Sequence, residues 1–494
     1  MNNMVHKTLR VSLLASLPLL AGCAWLEPSM KLPKLHAPDH YTTSTSNTMP
    51  FMAPSEAGSW EVAKARVAEP RGNWWEMYND SQLNSLMQDA LANSPDLQIM
   101  AARVKQARAQ AGIAESDLYP TIYADGGVTR QKLAPSDLQQ PDTAHFKPLT
   151  SYNVGLGASY EIDLFGQLAG TARQARFQSI AQKDLYESTK LSLQADVAQA
   201  YFAARASAAE LADVSETLSL GERNLALTKR QYELGDISSQ TYQQTLADLM
   251  SLRNNALSLQ QQQVAAQNSI ATLLGKMPGS VVISDTSPLT GLPPMIPADV
   301  PASLLERRPD VAAAENQLAA ANASIGVARA AFFPSISLTG TAGYAARDVG
   351  NLFKSNTSTW SVGPAITLPI FQGATNINNL RLSWGVYEEG VATYKQQVLA
   401  AFSDVDNALT AHRVSLEQAS GQQQAVEQLN KTAAMAEQQY AVGDISQQDL
   451  IAAKQQALSA RITGQQALYT AYDASAQLMR ALGGSWETTP APKR

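Results

Sequence analysis

Reactive chemistry has few places to reside in this chain. A single cysteine, Cys23, stands in 494 residues. Its thiol is a potential nucleophile, but without a second cysteine it can close no disulfide within the chain. It follows Leu20-Ala21-Gly22, at the end of a segment that opens with Lys7 and Arg10 and continues as a run from Val11 to Leu20 broken only by Ser12, Ser16 and Pro18. A basic start, a short apolar run and a small-residue exit mark a secretory signal peptide over residues 1–22, too short to span as a stable helix. His6, His36, His40, His145 and His412 are scattered and form no plausible metal cluster. No G-x-S-x-G, H-E-x-x-H or paired-carboxylate setting stands out. Gly155-Leu156-Gly157 lies inside a strand pattern rather than at a strand-to-helix turn, so it offers no nucleotide site. The chain is therefore expected to be no enzyme and to carry no cofactor or metal; its one chemical event is modification of Cys23.

The elements around that cysteine set the compartment. Leu20-Ala21-Gly22-Cys23 resembles the lipobox of bacterial lipoproteins, which implies N-palmitoyl and S-diacylglycerol groups on Cys23 and a mature chain that begins there. Ala24 stands where the inner-membrane retention signal has aspartate, which by the same resemblance favours the outer membrane. Residues 23–60, rich in Pro, Ser and Thr, read as an extended tether. Loss of residues 1–22 removes two basic residues and takes the net charge from −6 to −8, so no basic patch suits nucleic acid.

The chain is written twice. Pro95-Asp96 is answered by Pro309-Asp310 and Tyr119-Pro120 by Phe333-Pro334, both at an offset of 214 residues. Tyr232-Glu-Leu-Gly235-Asp236-Ile237-Ser238 is answered by Tyr440-Ala-Val-Gly443-Asp444-Ile445-Ser446, and Leu274-Gly275 by Leu482-Gly483, both at an offset of 208. Four ordered landmarks at nearly constant offset identify a duplication. The first repeat is read as residues 61–275 and the second as 302–484, with a proline-rich linker at 276–301 and a tail at 485–494.

Each repeat carries two segments of period two. Tyr152, Val154, Leu156, Ala158, Tyr160 and Ile162 alternate with polar residues or glycine, and Trp360, Val362, Ile366, Leu368 and Ile370 do likewise. Ile336, Leu338, Ala342 and Tyr344 form a third set, and Ile122, Ala124 and Val128 a weaker fourth. Strands are expected near 120–130, 151–163, 334–345 and 359–370. About ten residues suit a tilted strand crossing a bilayer. Four strands cannot close a barrel, and an open edge in hydrocarbon leaves unpaired backbone groups that cost several kcal/mol each. Closure must come from other copies, and three would give twelve strands.

After the strands come proline-free stretches, from Phe165 to about Arg230 and from Gln372 to Gln439. At ~1.5 Å per residue each is a helix roughly 100 Å long. Gly235 and Gly443 are suited to end them, and Ser238 and Ser446 to cap returning helices, so tips are expected near 235–238 and 443–446. The fold class expected is mainly α with a membrane β-barrel: four strands and long antiparallel helices in two repeats, assembled by threes into a barrel continued by a helical tunnel.

The lipobox, the stretch from Trp74 to Leu86, Tyr160 to Gly166, Arg307 to Gly340 and Trp360 to Phe371 together resemble the outer membrane factor family, the TolC-like ducts, in its lipoprotein (NodT-type) branch. The resemblance covers essentially the whole mature chain. It implies a homotrimer in the outer membrane with helices in the periplasm, docked to a periplasmic adaptor and an inner-membrane pump, passing drugs or other toxic small molecules outward. It implies an equatorial girdle, here drawn from residues 60–80, the 276–301 link and the tail. It also implies a periplasmic gate near Tyr232, Thr241, Tyr440 and Asp449. Ala452 replaces the second constricting carboxylate of the pattern, so this gate is less acidic. Ser446-x-x-Asp449 is also a capping-box pattern, which gives Asp449 a structural role of its own. Gly235, Asp236, Gly443 and Asp444 mark the tips where an adaptor would touch. Arg308 and Asp310 read as ordinary chemistry of a helix start, and Trp74 and Trp75 as packing anchors. The competing functions are an envelope scaffold lipoprotein, which would not need four alternating segments, and the exit duct of a secretion system.

Overall fold

A computed structural model describes residues 26–30, 32, 72–132, 147–283, 287–294 and 308–484. Cys23, the leader, most of the tether, Arg307 and the tail at 485–494 lie outside them, as do parts of the 276–301 linker. Helices α1 (Ser81–Asn93) and α2 (Pro95–Ser116) lead into strands β1 (Thr121–Gln131) and β2 (Leu149–Ile162), then α3 (Gln167–Leu234) and α4 (Ser239–Leu273). The second repeat follows with α5 (Pro309–Ala330), β3 (Ser335–Ala346), β4 (Ser358–Thr367), α6 (Thr375–Ala441) and α7 (Gln447–Ala481). The two repeats keep step except at one place: 17 residues join β1 to β2 but 11 join β3 to β4. That difference of six accounts for the change of offset from 214 to 208.

One expectation is corrected. β4 stops at Thr367, so Leu368 and Ile370 stand beyond the strand that was expected to reach 370. Pro369 has no N–H for a ladder, and the alternation around it runs on without pairing.

The described residues fall into two compact units. One takes those of Met1–Pro33, Val104–Ala181 and Ala314–Tyr394; the other takes those of Lys34–Arg103, Gln182–Ala313 and Lys395–Arg494. In the first unit the four strands form one antiparallel sheet in the order β1-β2-β3-β4. The helical segments beside it pack closely: a Cβ on Gly170 of α3 would stand 2.9 Å from Val327 of α5, so a larger residue there would force the helices apart.

The second unit has an aromatic centre. Trp74 and Trp75 are buried, and the Tyr78 ring lies 5.0 Å from Phe202 and 5.7 Å from Tyr472. The polar ends of these rings are satisfied: Trp74 Nε1 donates to Gln194 at 3.1 Å, and the Tyr78 hydroxyl bonds Ser475 Oγ at 2.6 Å. Asp80 caps α1 by accepting from the backbone of Gln82 and Leu83, while its other oxygen takes Tyr201 at 2.7 Å and Arg205 at 2.9 Å.

Arg308 and Asp310 do more than begin a helix. Arg308 is buried and holds Asp310 through two nitrogens, Asp404 at 3.1 Å and the Ala481 carbonyl at 3.2 Å. Burial alone would raise the Asp310 carboxyl, but Arg308, with the Val311 N–H and the Gln397 amide, holds it below the ordinary carboxylate range.

Candidate functional site: a one-sided sheet and two helical tips

The strand register sorts side chains by parity. Residues opposite one another are all even or all odd, so Ile122, Ala158, Gly340 and Val362 make one row, and Ala124, Leu156, Ala342 and Trp360 make another. Tyr160 pairs with Leu338 and Leu338 with Pro364, and Ile162 pairs with Ile336 and Ile336 with Ile366, which makes two further rows. Nearly all the apolar side chains of the sheet therefore share one face. That face is bare: Ile122 is 73% exposed, Trp360 78%, Val362 68% and Ile366 69%. An apolar sheet face of this extent in water would be strongly unfavourable, since every Å² left wet forgoes ~25 cal/mol.

The odd-numbered face is polar and crowded. Asn153 donates to Asp125 at 3.3 Å, and Thr341 bonds Ser361 at 2.7 Å. Glycine is required there by close approach: a Cβ on Gly157 would collide with the Tyr123 ring, and one on Gly343 with the Val154 carbonyl. Glycines of the apolar face have more room, the nearest atom to a Cβ on Gly340 being 3.6 Å away. The close approaches at Gly157 and Gly343 are what a sheet curled with its polar side inward produces, although Gly363 on the same face has open space. β1 and β4 are the outer strands, each paired on one side only among the described residues.

The two helical tips, both in the second unit, are built alike. Gly235 (φ 82°) donates to the Tyr232 carbonyl at 3.0 Å and Asp236 to that of Gln231 at 2.9 Å. Gly443 (φ 83°) donates to Tyr440 at 3.0 Å and Asp444 to Gln439 at 2.9 Å. This is the Schellman closure, which needs a residue in the left-handed region and so a glycine. Ser238 Oγ then accepts from the Thr241 N–H at 3.2 Å, and Ser446 Oγ from the Asp449 N–H at 3.1 Å. The structure thus gathers Tyr232, Gly235, Asp236 and Thr241 at one tip and Tyr440, Gly443, Asp444 and Asp449 at the other.

Asp449 is exposed and completes a capping box. Its Oδ2 accepts from the Ser446 hydroxyl at 2.6 Å and the Ser446 N–H at 3.1 Å, and these bonds hold its carboxyl below the ordinary range. At the equivalent tip Thr241 supplies only a hydroxyl, 3.1 Å from Ser238 Oγ. Two contacts were not signalled by the motifs. Tyr232 stacks on Tyr242 with centroids 5.3 Å apart, and Gln448 Nε2 donates to Gln231 Oε1 at 2.8 Å, joining the two tips. Among the described residues no three His, Cys, Asp or Glu side chains could hold a metal ion, and no helix is long and apolar enough to cross a membrane.

Comparison with known proteins agrees with this geometry. The antibiotic efflux pump outer membrane protein ArpC of Pseudomonas putida is 32% identical over 96% of this chain and 95% of its own. The probable outer membrane lipoprotein SilC of Salmonella typhimurium is 28% identical over 97% of this chain and 99% of its own. The crystal structure of the Campylobacter jejuni CmeC outer membrane channel superposes with a TM-score of 0.79, at 24% identity, over 94% of this chain and 96% of that one, and shares the fold. A family model described as outer membrane efflux protein matches residues 86–276 and 300–484. The two matched stretches begin 214 residues apart and end 208 apart, the offsets of the repeat landmarks. The chain belongs to the outer membrane efflux protein family.

Proposed function

We propose that three copies join edge to edge, β4 of one against β1 of the next, to close a twelve-stranded barrel through the outer membrane, and that the long helices continue it as a periplasmic tunnel. The observation that carries this is the sheet: its apolar side chains lie on one exposed face while both its outer edges await partners. Hydrocarbon covers such a face at no cost, but it supplies no hydrogen bonds to an edge, so a four-stranded sheet is stable there only as part of a ring.

The duct is passive. It carries drugs or other toxic small molecules outward, in keeping with the antibiotic efflux named for ArpC, and it performs no catalysis. Substrate selection and energy come from an inner-membrane pump acting through a periplasmic adaptor that meets the tips at Gly235, Asp236, Gly443 and Asp444. Asp449, Tyr440, Thr241 and Tyr232 surround the narrow end. Three Asp449 carboxylates around one axis would repel each other and attract cations. Cys23 carries N-palmitoyl and S-diacylglycerol, in keeping with the lipoprotein named for SilC. Several acyl chains at ~0.8 kcal/mol per buried CH₂ make a durable anchor beside the barrel.

The test is conductance. Protein purified from the outer membrane and reconstituted in a planar bilayer is expected to give discrete, cation-preferring steps; protein that is inserted but silent would overturn the duct in favour of a scaffold. Acylation is tested separately, since Cys23→Ser is expected to abolish incorporation of labelled palmitate, and a label that persists would refute it.

A further inference from the structure

The short segment just after the acylated cysteine is bolted to the body. Leu26 is buried, and its carbonyl accepts from Arg329 Nη1 at 2.9 Å. Glu27 pairs with Arg173 at 3.1 Å and accepts from Asn322 Nδ2 at 3.0 Å, and the same Nδ2 reaches the Pro28 carbonyl at 2.9 Å. Glu27 also lies on Gly326, where a Cβ would come within 3.4 Å of its Cα. Arg173 belongs to α3 of the first repeat, while Asn322, Gly326 and Arg329 belong to α5 of the second. The segment therefore straps the two repeats together at the place where Gly170 meets Val327.

The strap has a direction. Leu26 is held at Arg329, Glu27 at Gly326 and Asn322, and Pro28 at Asn322, so the chain runs antiparallel to α5. Its beginning is thus nearest the end of α5 that leads into β3. Two residues, Ala24 and Trp25, separate Cys23 from Leu26, which limits the Cα of Cys23 to roughly 11 Å from that of Leu26 by chain reach.

We infer that residues 26–28 are a docking latch that fixes the acyl group at the sheet end of α5, so that the lipid and the barrel enter the membrane as one unit. This rests on the acylation proposed for Cys23. A free tether would let the anchor wander and would need no buried contacts; the latch converts the anchor into a strut across the repeats.

The experiment uses the full-length protein in outer membranes with one added thiol, since the acylated Cys23 sulfur does not react. Leu26→Cys is expected to react with a maleimide about tenfold more slowly than Leu32→Cys, because the latch must open first. Glu27→Ala with Asn322→Ala, or Gly326→Leu alone, is expected to raise the Leu26→Cys rate to that of Leu32→Cys while palmitate incorporation stays unchanged. Equal rates at 26 and 32 in the otherwise unaltered protein, or a Leu26→Cys rate indifferent to both sets of changes, would overturn the latch. Maleimide found on Cys23 by peptide mass would instead refute acylation, and the rate at residue 26 would still decide the latch.

Discussion

Ser446 and Asp449 bond reciprocally at the start of α7, side chain to backbone in both directions. The cap needs an acceptor at residue 449, whereas a cation-attracting ring needs a charge, and the two needs separate on substitution. Asp449→Asn retains an acceptor for the Ser446 N–H and removes the charge, so single-channel cation preference is expected to fall while helix content and melting temperature stay close to those of the parent. Asp449→Ala is expected to lose the charge and the Asp449 half of the capping box, while Ser446 still accepts from the backbone N–H of residue 449. Unaltered selectivity in Asp449→Asn would leave Asp449 as a cap alone.

The two faces of β4 predict opposite responses to charge. Val362→Arg puts a cation on the apolar face and is expected to cost about 2–4 kcal/mol, seen as failed insertion into lipid vesicles. Ser361→Arg, one residue away on the polar face, is expected to insert normally. If the two behaved alike, the assignment of faces would be wrong.

Glycine positions give a steric version of the same contrast. Gly343→Ala drives a Cβ into the Val154 carbonyl and to 2.7 Å from the Gly155 Cα, so β2 and β3 must separate, at roughly 1–3 kcal/mol or more. Gly340→Ala, on the roomier face, is expected to be nearly neutral. The yield of folded protein extracted from the outer membrane reads the difference.

His412 supplies a pH dependence. It is only 4% exposed and neither ring nitrogen has a hydrogen-bond partner among the described residues, so burial pushes its pKa below the ordinary imidazole value. The unfolded chain takes up the proton first, so stability is lost as pH falls from ~6.5 toward the lower folded value. Burial raises the carboxyls of Glu210 and Asp473, which contribute with the opposite sign at acid pH, so the diagnostic quantity is a difference. The loss of melting temperature between pH 7 and pH 5 is expected to be smaller in His412→Leu than in the parent. An unchanged loss would mean that His412 takes up its proton without opening the helices.

Much of the architecture is legible in the residues because bilayer strands and long helices obey simple periods. The even-numbered apolar sets at 152–162 and 336–344 became a single face because the register preserves parity. β1 read weakly for a physical reason: Tyr123 sits on the polar face, accommodated over Gly157, and Gly126 interrupts the apolar one. The tips were legible from Gly235, Gly443, Ser238 and Ser446, since turn and cap chemistry is local. What could not be read were the long-range polar contacts. Arg308 looked like part of a helix start, but Asp404 and the Ala481 carbonyl lie 96 and 173 residues away. Glu27 and Pro28 looked like tether, and their partner Asn322 has no motif.

The measurement that tests the central claim most directly is the mass of the detergent-solubilised protein from the outer membrane, by sedimentation or light scattering with the detergent subtracted. Three chains per particle are expected, because four strands from each close as twelve. A monomer that keeps its strands would contradict the account, since its sheet would then survive in lipid with both edges open.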